Sequence, residues 1–124
     1  MQAVIMAGGK GTRLASVTKD IPKPMVQIDG KPLLQYQIEN LRDNGVLNII
    51  LIIGHLGYVI REYFGDGSKF GVKISYFEEE SPLGTAGALS EIKSKLEDDF
   101  FLVFGDLFLN VNFKLSLIHI SEPT

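Results

Sequence analysis

Apolar and polar positions along this chain switch repeatedly between two periods. Gln2–Met6 is a short apolar run, and Asn48–Ile53 is a continuous one rich in isoleucine, as in a strand buried on both faces. Val72–Phe77 alternates and predicts a further strand, and Phe100–Phe104 predicts a fourth, closed by Gly105-Asp106. Between them lie helical patterns. Leu33, Leu34, Tyr36, Gln37, Ile38 and Leu41 fall at helical spacing, with Pro32 suited to the first turn and Asn44-Gly45 to the stop. Tyr58–Phe64 predicts a short helix ended by Gly65-Asp66-Gly67, and Thr85–Leu96 a helix opened by a glycine-bearing turn. Strands alternating with helices predict a mainly parallel sheet covered on both faces. Repeats, low-complexity stretches and a domain linker are absent from the sequence.

The first strand runs directly into Ala7-Gly8-Gly9-Lys10-Gly11-Thr12-Arg13-Leu14. Glycines permit close backbone approach, successive N–H groups form a concave anion site, and Arg13 can grip a phosphate with two donors. The loop matches neither common phosphate motif. A Walker A loop needs Ser or Thr where Gly11 stands, and the dinucleotide fingerprint needs glycine where Leu14 stands. Prolines flank Lys23 in Pro22-Lys23-Pro24, which predicts a stiff extended segment that would bring its ammonium to the loop with little entropy left to lose. Leu83-Gly84-Thr85-Ala86-Gly87-Ala88 opens a helix with small residues, so backbone can approach a flat ligand. Gly105-Asp106 ends a buried strand with one carboxylate, and Mg²⁺ is commonly held by one or two carboxylates with substrate phosphates. In an open α/β sheet these clusters share the carboxyl edge, where ligands bind near a topological switch point.

Composition narrows the setting. Hydrophobic residues make up 45% of 124, enough for one ordinary domain, and no apolar run approaches the ~20 residues of a membrane span. No basic segment precedes the first strand, so a cytoplasmic protein is expected rather than a secreted one. Without cysteine there are no disulfides, thiolate metal sites or cysteine nucleophiles. A net charge of −3 argues against general nucleic-acid binding. Positive charge gathers locally at Lys10, Arg13, Lys19, Lys23 and Lys31, which suits a small anionic ligand.

Gly8-Gly-Lys-Gly-Thr-Arg-Leu14, Pro22-Lys-Pro-Met25, Gly30-Lys-Pro-Leu33, Pro82-Leu-Gly-Thr-Ala-Gly-Ala88 and Gly105-Asp106, in this order, resemble the sugar-1-phosphate nucleotidyltransferases across residues 1–114. The resemblance implies a Rossmann-like three-layer α/β/α sandwich, the nucleotide-diphospho-sugar transferase fold, truncated here. It also implies attack of a sugar 1-phosphate on the α-phosphorus of a nucleoside triphosphate, with release of pyrophosphate. Carried over by position, Ala7, Gly8, Gly9, Gly11, Thr12 and Arg13 would hold the triphosphate. Lys23 would neutralise the α-phosphate, Gly84, Thr85 and Ala86 would pack against the nucleoside, and Asp106 would bind Mg²⁺. A second metal-binding Asp and the sugar-binding segment would belong to the later half of such a protein. His55 reads as a loop residue after its strand.

Asp20-Ile-Pro-Lys-Pro-Met25 with Pro82-Leu-Gly-Thr-Ala-Gly87 looks most like the mannose- and heptose-1-phosphate guanylyltransferases. Some heptose relatives carry a C-terminal phosphatase, and a homo-oligomer is compatible with the family. Glu79 stands where uridylyl- and thymidylyl-transferring relatives tend to carry Gln. A carboxylate offers only acceptors, matching the two adjacent donors of guanine, so GTP is expected. Glu78 and Glu80 read as solvated. Open alternatives are a nucleotide-binding regulatory subunit of the same fold, a uridylyl- or thymidylyl-transferring relative, and more distantly a molybdenum-cofactor or methylerythritol-type nucleotidyltransferase. Leu115–Thr124 resembles the translation of a transposon adapter used in sequencing-library preparation. Residues 1–114 are therefore expected to form the nucleotide-binding part, and 115–124 a non-native tail that includes His119.

Overall fold

A computed structural model describes residues 1–8, 22–54, 56–79, 84–104 and 116–119. Its core is a sheet of four parallel strands: β1 (Gln2–Met6), β4 (Asn48–Ile53), β5 (Lys73–Glu78) and β6 (Asp99–Phe104). Their order across the sheet is β5-β4-β1-β6, so the chain steps outward twice on one side of β1 and then crosses to the other. This reversal places a topological switch point between β1 and β6. The carboxyl ends lie level, Met6 pairing with both Ile52 and Phe104. A further strand, β7 (Ser116–His119), adds antiparallel to the outer edge of β6, covering it from Leu102 back to Asp99.

Strand alternation divides the core into two layers. Ala3, Ile5, Ile49, Leu51, Ile53 and Ile74 face α1 (Leu33–Asp43) and α2 (Gly57–Phe64), where Leu34, Ile38, Leu41, Ile60 and Phe64 meet them. Val4, Ile50, Ile52 and Phe100 face α3 (Gly84–Glu91), through Ala88, and the turn after it, through Ile92. Helices on both faces make the three-layer α/β/α arrangement. Five successive β4 residues, Ile49–Ile53, are buried, as a strand covered on both sides requires. Each such side chain contributes roughly 1.5–3 kcal/mol by leaving water.

Three local expectations change. Lys23 is not on an extended segment. Pro22 is extended, but Lys23–Met25 form one turn of 3₁₀ helix, closed by the Val26 N–H donating to the Lys23 carbonyl at 3.1 Å. Pro24 is tolerated because the first turn of a helix needs no N–H from it. Pro32 caps α1 from just outside rather than sitting in its first turn. It belongs to a two-stranded hairpin, β2 (Gln27–Ile28) and β3 (Lys31–Pro32), reversed at Asp29 and Gly30. Positive φ at both turn residues, 54° and 81°, is the geometry that Asp-Gly favours in tight hairpins. The helix expected over Thr85–Leu96 stops at Glu91 and gives way to a 3₁₀ turn at Lys93–Lys95. Among the described residues, no helix is long and apolar enough to cross a membrane.

Candidate functional site

The carboxyl edge of the sheet brings Ala7, Gly8 and Glu79 together. Ala7 continues β1 by one bond, its N–H donating to the Ile52 carbonyl at 2.8 Å, and is 2% exposed. Gly8 then lies directly against the chain leaving β4. A Cβ at Gly8 would sit 3.1 Å from the Gly54 nitrogen, from the Ile53 carbonyl carbon and from Glu79 Oε1. A Cβ at Gly54 would in turn meet the Gly8 oxygen at 3.2 Å. Two glycines thus let the loops after β1 and β4 touch through backbone, and any side chain at Gly8 would have to displace the Glu79 carboxylate.

Glu79 is placed by the sheet. Its N–H donates to the Ile53 carbonyl at 2.8 Å, extending the β5–β4 pairing by one step past Glu78. Because side chains alternate along a strand, neighbouring glutamates leave on opposite faces. Glu78 is exposed and ion-paired with Arg61 at 3.4 Å, whereas Glu79 is half-buried with its carboxylate over Gly8. Pleat parity thus separates the acidic run into a solvated Glu78 and a Glu79 that meets the glycine loop.

Lys23 sits on an anchored turn. Pro24 and Met25 are buried, Met25 in the same core layer as Ala7, and Lys23 itself is half-buried. The hairpin that follows is tied to α1, and α1 in turn to α2. Lys31 Nζ donates to Glu39 Oε1 at 2.8 Å, Gln35 donates to Glu39 Oε2 at 2.8 Å, and Tyr63 donates to Gln35 at 2.6 Å. Tyr36 donates to the Ile28 carbonyl at 2.7 Å. The hydrogen bond to Glu39 raises the Lys31 pKa. Burial alone would raise that of Glu39, but the bonds from Gln35 and Lys31 outweigh it and hold the carboxyl low. Neither the hairpin nor this network was read from the sequence, although the Asp-Gly dipeptide was a sufficient turn signal.

Gly84 opens α3 with φ +75°, and Gly84 and Ala86 are exposed, while Ala88 is fully buried against the sheet. Thr85 lies in the helix backbone. Gly9, Gly11, Thr12, Arg13, His55 and Asp106 lie outside the described residues. Among the described residues no group of three or more metal-ligating side chains occurs. The structure therefore brings together Ala7, Gly8 and Glu79, anchors the turn that carries Lys23 through Met25 in the core layer of Ala7, and sets the ends of β1 and β6 side by side.

Comparison with known proteins fits this geometry. The chain is 42% identical over 122 residues to D-glycero-alpha-D-manno-heptose 1-phosphate guanylyltransferase of Campylobacter jejuni, a match that covers 98% of this chain and 54% of that protein. It is 40% identical over 108 residues to mannose-1-phosphate guanylyltransferase of Mycobacterium tuberculosis, covering 86% of this chain and 30% of that one. The crystal structure of HddC from Yersinia pseudotuberculosis complexed with GMP-PN superposes with a TM-score of 0.72 at 43% identity, over 85% of this chain and 47% of that one. The chain thus spans about half the length of the heptose relative and of HddC. The nucleotidyl transferase family model matches residues 2–122. With parallel strands in the order β5-β4-β1-β6, a glycine-rich sequence after its first strand and a match along nearly its whole length, the chain belongs to the nucleotidyl transferase family.

Proposed function

We propose that the full-length protein transfers a nucleotidyl group, GMP by preference, from a nucleoside triphosphate to a sugar 1-phosphate. An oxygen of the sugar phosphate attacks the α-phosphorus, the bond to the β-phosphate oxygen breaks, and pyrophosphate leaves. The attacking oxygen is already ionised, so no general base is required and catalysis is positioning plus charge neutralisation. The backbone of Gly8–Gly11 and the Arg13 guanidinium hold the triphosphate and the departing pyrophosphate. Lys23 neutralises charge at the α-phosphate, and Gly84, Thr85 and Ala86 lie against the nucleoside.

The donor chemistry at the end of β6 fits a hard cation, since one Asp carboxylate with substrate phosphates is a usual Mg²⁺ environment. Asp106 would hold it, and the ion would supply positive charge that neutralises the phosphates. The reading includes a cytoplasmic setting, and it leaves the sugar-binding groups, a homo-oligomeric contact and any C-terminal phosphatase to the half of the protein that relatives have beyond this chain. The 124-residue chain alone is then inactive.

The observation that carries this reading is the Glu79 carboxylate lying over Gly8 at the carboxyl edge of the sheet. A carboxylate there accepts from the ring N–H and exocyclic amine of guanine, and repels the carbonyl of a pyrimidine. The named activities of the heptose and mannose relatives support GTP. A 38% identical relative from Haloferax volcanii is a UTP–glucose-1-phosphate uridylyltransferase, so the base is the finer part of the proposal. The test is pyrophosphate release by the full-length protein with GTP, UTP, dTTP and CTP against a panel of sugar 1-phosphates. Turnover with GTP and a hexose or heptose 1-phosphate is expected. Tight nucleotide binding without turnover would identify a regulatory subunit instead, and preference for UTP or dTTP would overturn the assignment of the base.

A further inference from the structure

The chain leaving β4 is held at three successive carbonyls, each by a different partner. Ile52 accepts from the Ala7 N–H at 2.8 Å, Ile53 from the Glu79 N–H at 2.8 Å, and Gly54 from the Gly57 N–H at 2.7 Å. The first bond holds the chain that runs on from β1 into Gly8, the second holds Glu79, and the third closes the turn into α2. Residues 52–54 therefore form a post between Gly8 and Glu79, tied to the sheet on both sides and to the start of a helix.

That post meets Gly8 through bare backbone. A Cβ at Gly54 would stand 3.2 Å from the Gly8 oxygen and 3.7 Å from its Cα, tight enough to move the neighbour by a few tenths of an ångström. Gly54 does not have a positive φ, so alanine would bring no backbone strain and its methyl would act through that contact alone. With the post bonded at each of its carbonyls, the displacement falls on Gly8 and changes its place relative to Glu79. We propose that Gly54 is a positioning residue for the nucleotide. Its missing side chain sets the separation of Gly8 from Glu79, and so of the phosphate end of the ligand from its base end, an inference that rests on the roles given to Gly8 and Glu79 under the proposed function.

The experiment measures binding of GTP, guanosine and inorganic tripolyphosphate to the full-length protein. Gly54→Ala is expected to weaken GTP about 10-fold and to change guanosine and tripolyphosphate less than about twofold, because only a ligand spanning both ends senses their separation. In a Glu79→Ala background the same substitution is expected to cost GTP less than about twofold, since residues acting through one another are not additive. Gly57→Ala is the control within the same turn. Its Cβ would meet the Ile53 side chain at 3.0 Å, in the core layer facing α1 and α2, so it should lower stability and leave the ratio of GTP to fragment affinity unchanged.

Unchanged GTP affinity in Gly54→Ala, a matching loss for either fragment, or the full loss in the Glu79→Ala background would overturn the proposal. Failure of Gly54→Ala to fold would overturn it too, by assigning the residue to the core. Preference of the unsubstituted protein for UTP would defeat the assignment of the base alone, and the same comparison with UTP and uridine would then decide the role of Gly54. Tight GTP binding without turnover would defeat the catalytic reading and leave the binding result standing.

Discussion

The two edges of the sheet use the same device to different ends. At the amino edge, Gln2 is buried and both ends of its amide are consumed: Nε2 donates to the Lys95 carbonyl at 3.0 Å, and Oε1 accepts from the Glu97 N–H at 2.9 Å. That amide closes the connection from α3 into β6. At the carboxyl edge, Gln37 holds the last carbonyl of β6, while glycine contacts bring Gly8 against Gly54 and beneath Glu79. One edge spends polarity on itself. The other uses it to hold chain ends beside the groups proposed to bind phosphate and base. Changes at the amino edge should therefore move stability and leave chemistry alone, and changes at the carboxyl edge should do the reverse.

The strongest challenge to that contrast comes from the cations. In the full-length protein, Arg13→Ala and Lys23→Ala should each lower turnover by ~100-fold or more, the scale for loss of a group that stabilises transition-state charge. Melting temperature should stay within a few degrees of the parent. Near-normal pyrophosphate release from both folded variants would remove the catalytic role from this edge. At the opposite edge, Gln2→Leu should leave the Lys95 carbonyl and Glu97 N–H short of a partner and cost about 1–3 kcal/mol. Chemical denaturation should register that loss while turnover per folded molecule stays at the parent value. A fall in kcat without a fall in stability would dissolve the distinction between the edges.

Glu79→Gln sharpens the comparison within the carboxyl edge itself. Exchanging one carboxylate oxygen for an NH₂ loses a charge-assisted bond to guanine and offers a donor to a pyrimidine carbonyl. The ratio of kcat/KM for GTP over UTP should fall by about 10-fold, which corresponds to ~1.4 kcal/mol. An unchanged ratio would mean that the carboxylate over Gly8 does not meet the base.

The fold was legible in the sequence wherever burial alone decides structure. The strands Gln2–Met6 and Asn48–Ile53 have the expected limits, because a short apolar run flanked by glycine or a polar residue has few alternatives. Legibility failed where a local rule met a tertiary one. Flanking prolines predict extended chain at Lys23, yet burial of Pro24 and Met25 against α1 folds the same residues into a 3₁₀ turn. The site was legible as chemistry and illegible as geometry. Gly8 and Glu79 could be singled out separately, but their contact depends on the register of β1, β4 and β5, which pattern does not encode. Gln37 passed as one more member of a helical stripe. A lone amide among aliphatic residues was the available sign that the stripe also bonds the end of β6.

The smallest expected effect concerns the outer edge of β6. Ser116–His119 pair with Asp99–Leu102, and the family match extends to residue 122, yet pairing by itself says little about origin. An exposed strand edge is a row of unmet backbone donors and acceptors, and any short extended segment within reach can add to it. Ordering each such residue costs about 1–2 kcal/mol of backbone entropy, and each ladder hydrogen bond returns about 0.5–1.5 kcal/mol. The backbone pairing of four residues therefore returns no more than about what it costs. If residues 115–124 are foreign to the domain, as their likeness to an adapter translation proposes, removing them from the 124-residue chain should change its melting temperature by less than about 5 °C. Thermal melts of chains ending at Lys114 and at Thr124, followed by circular dichroism, make the comparison. A drop of more than about 10 °C on truncation would show that β7 completes the sheet and that the segment belongs to the domain.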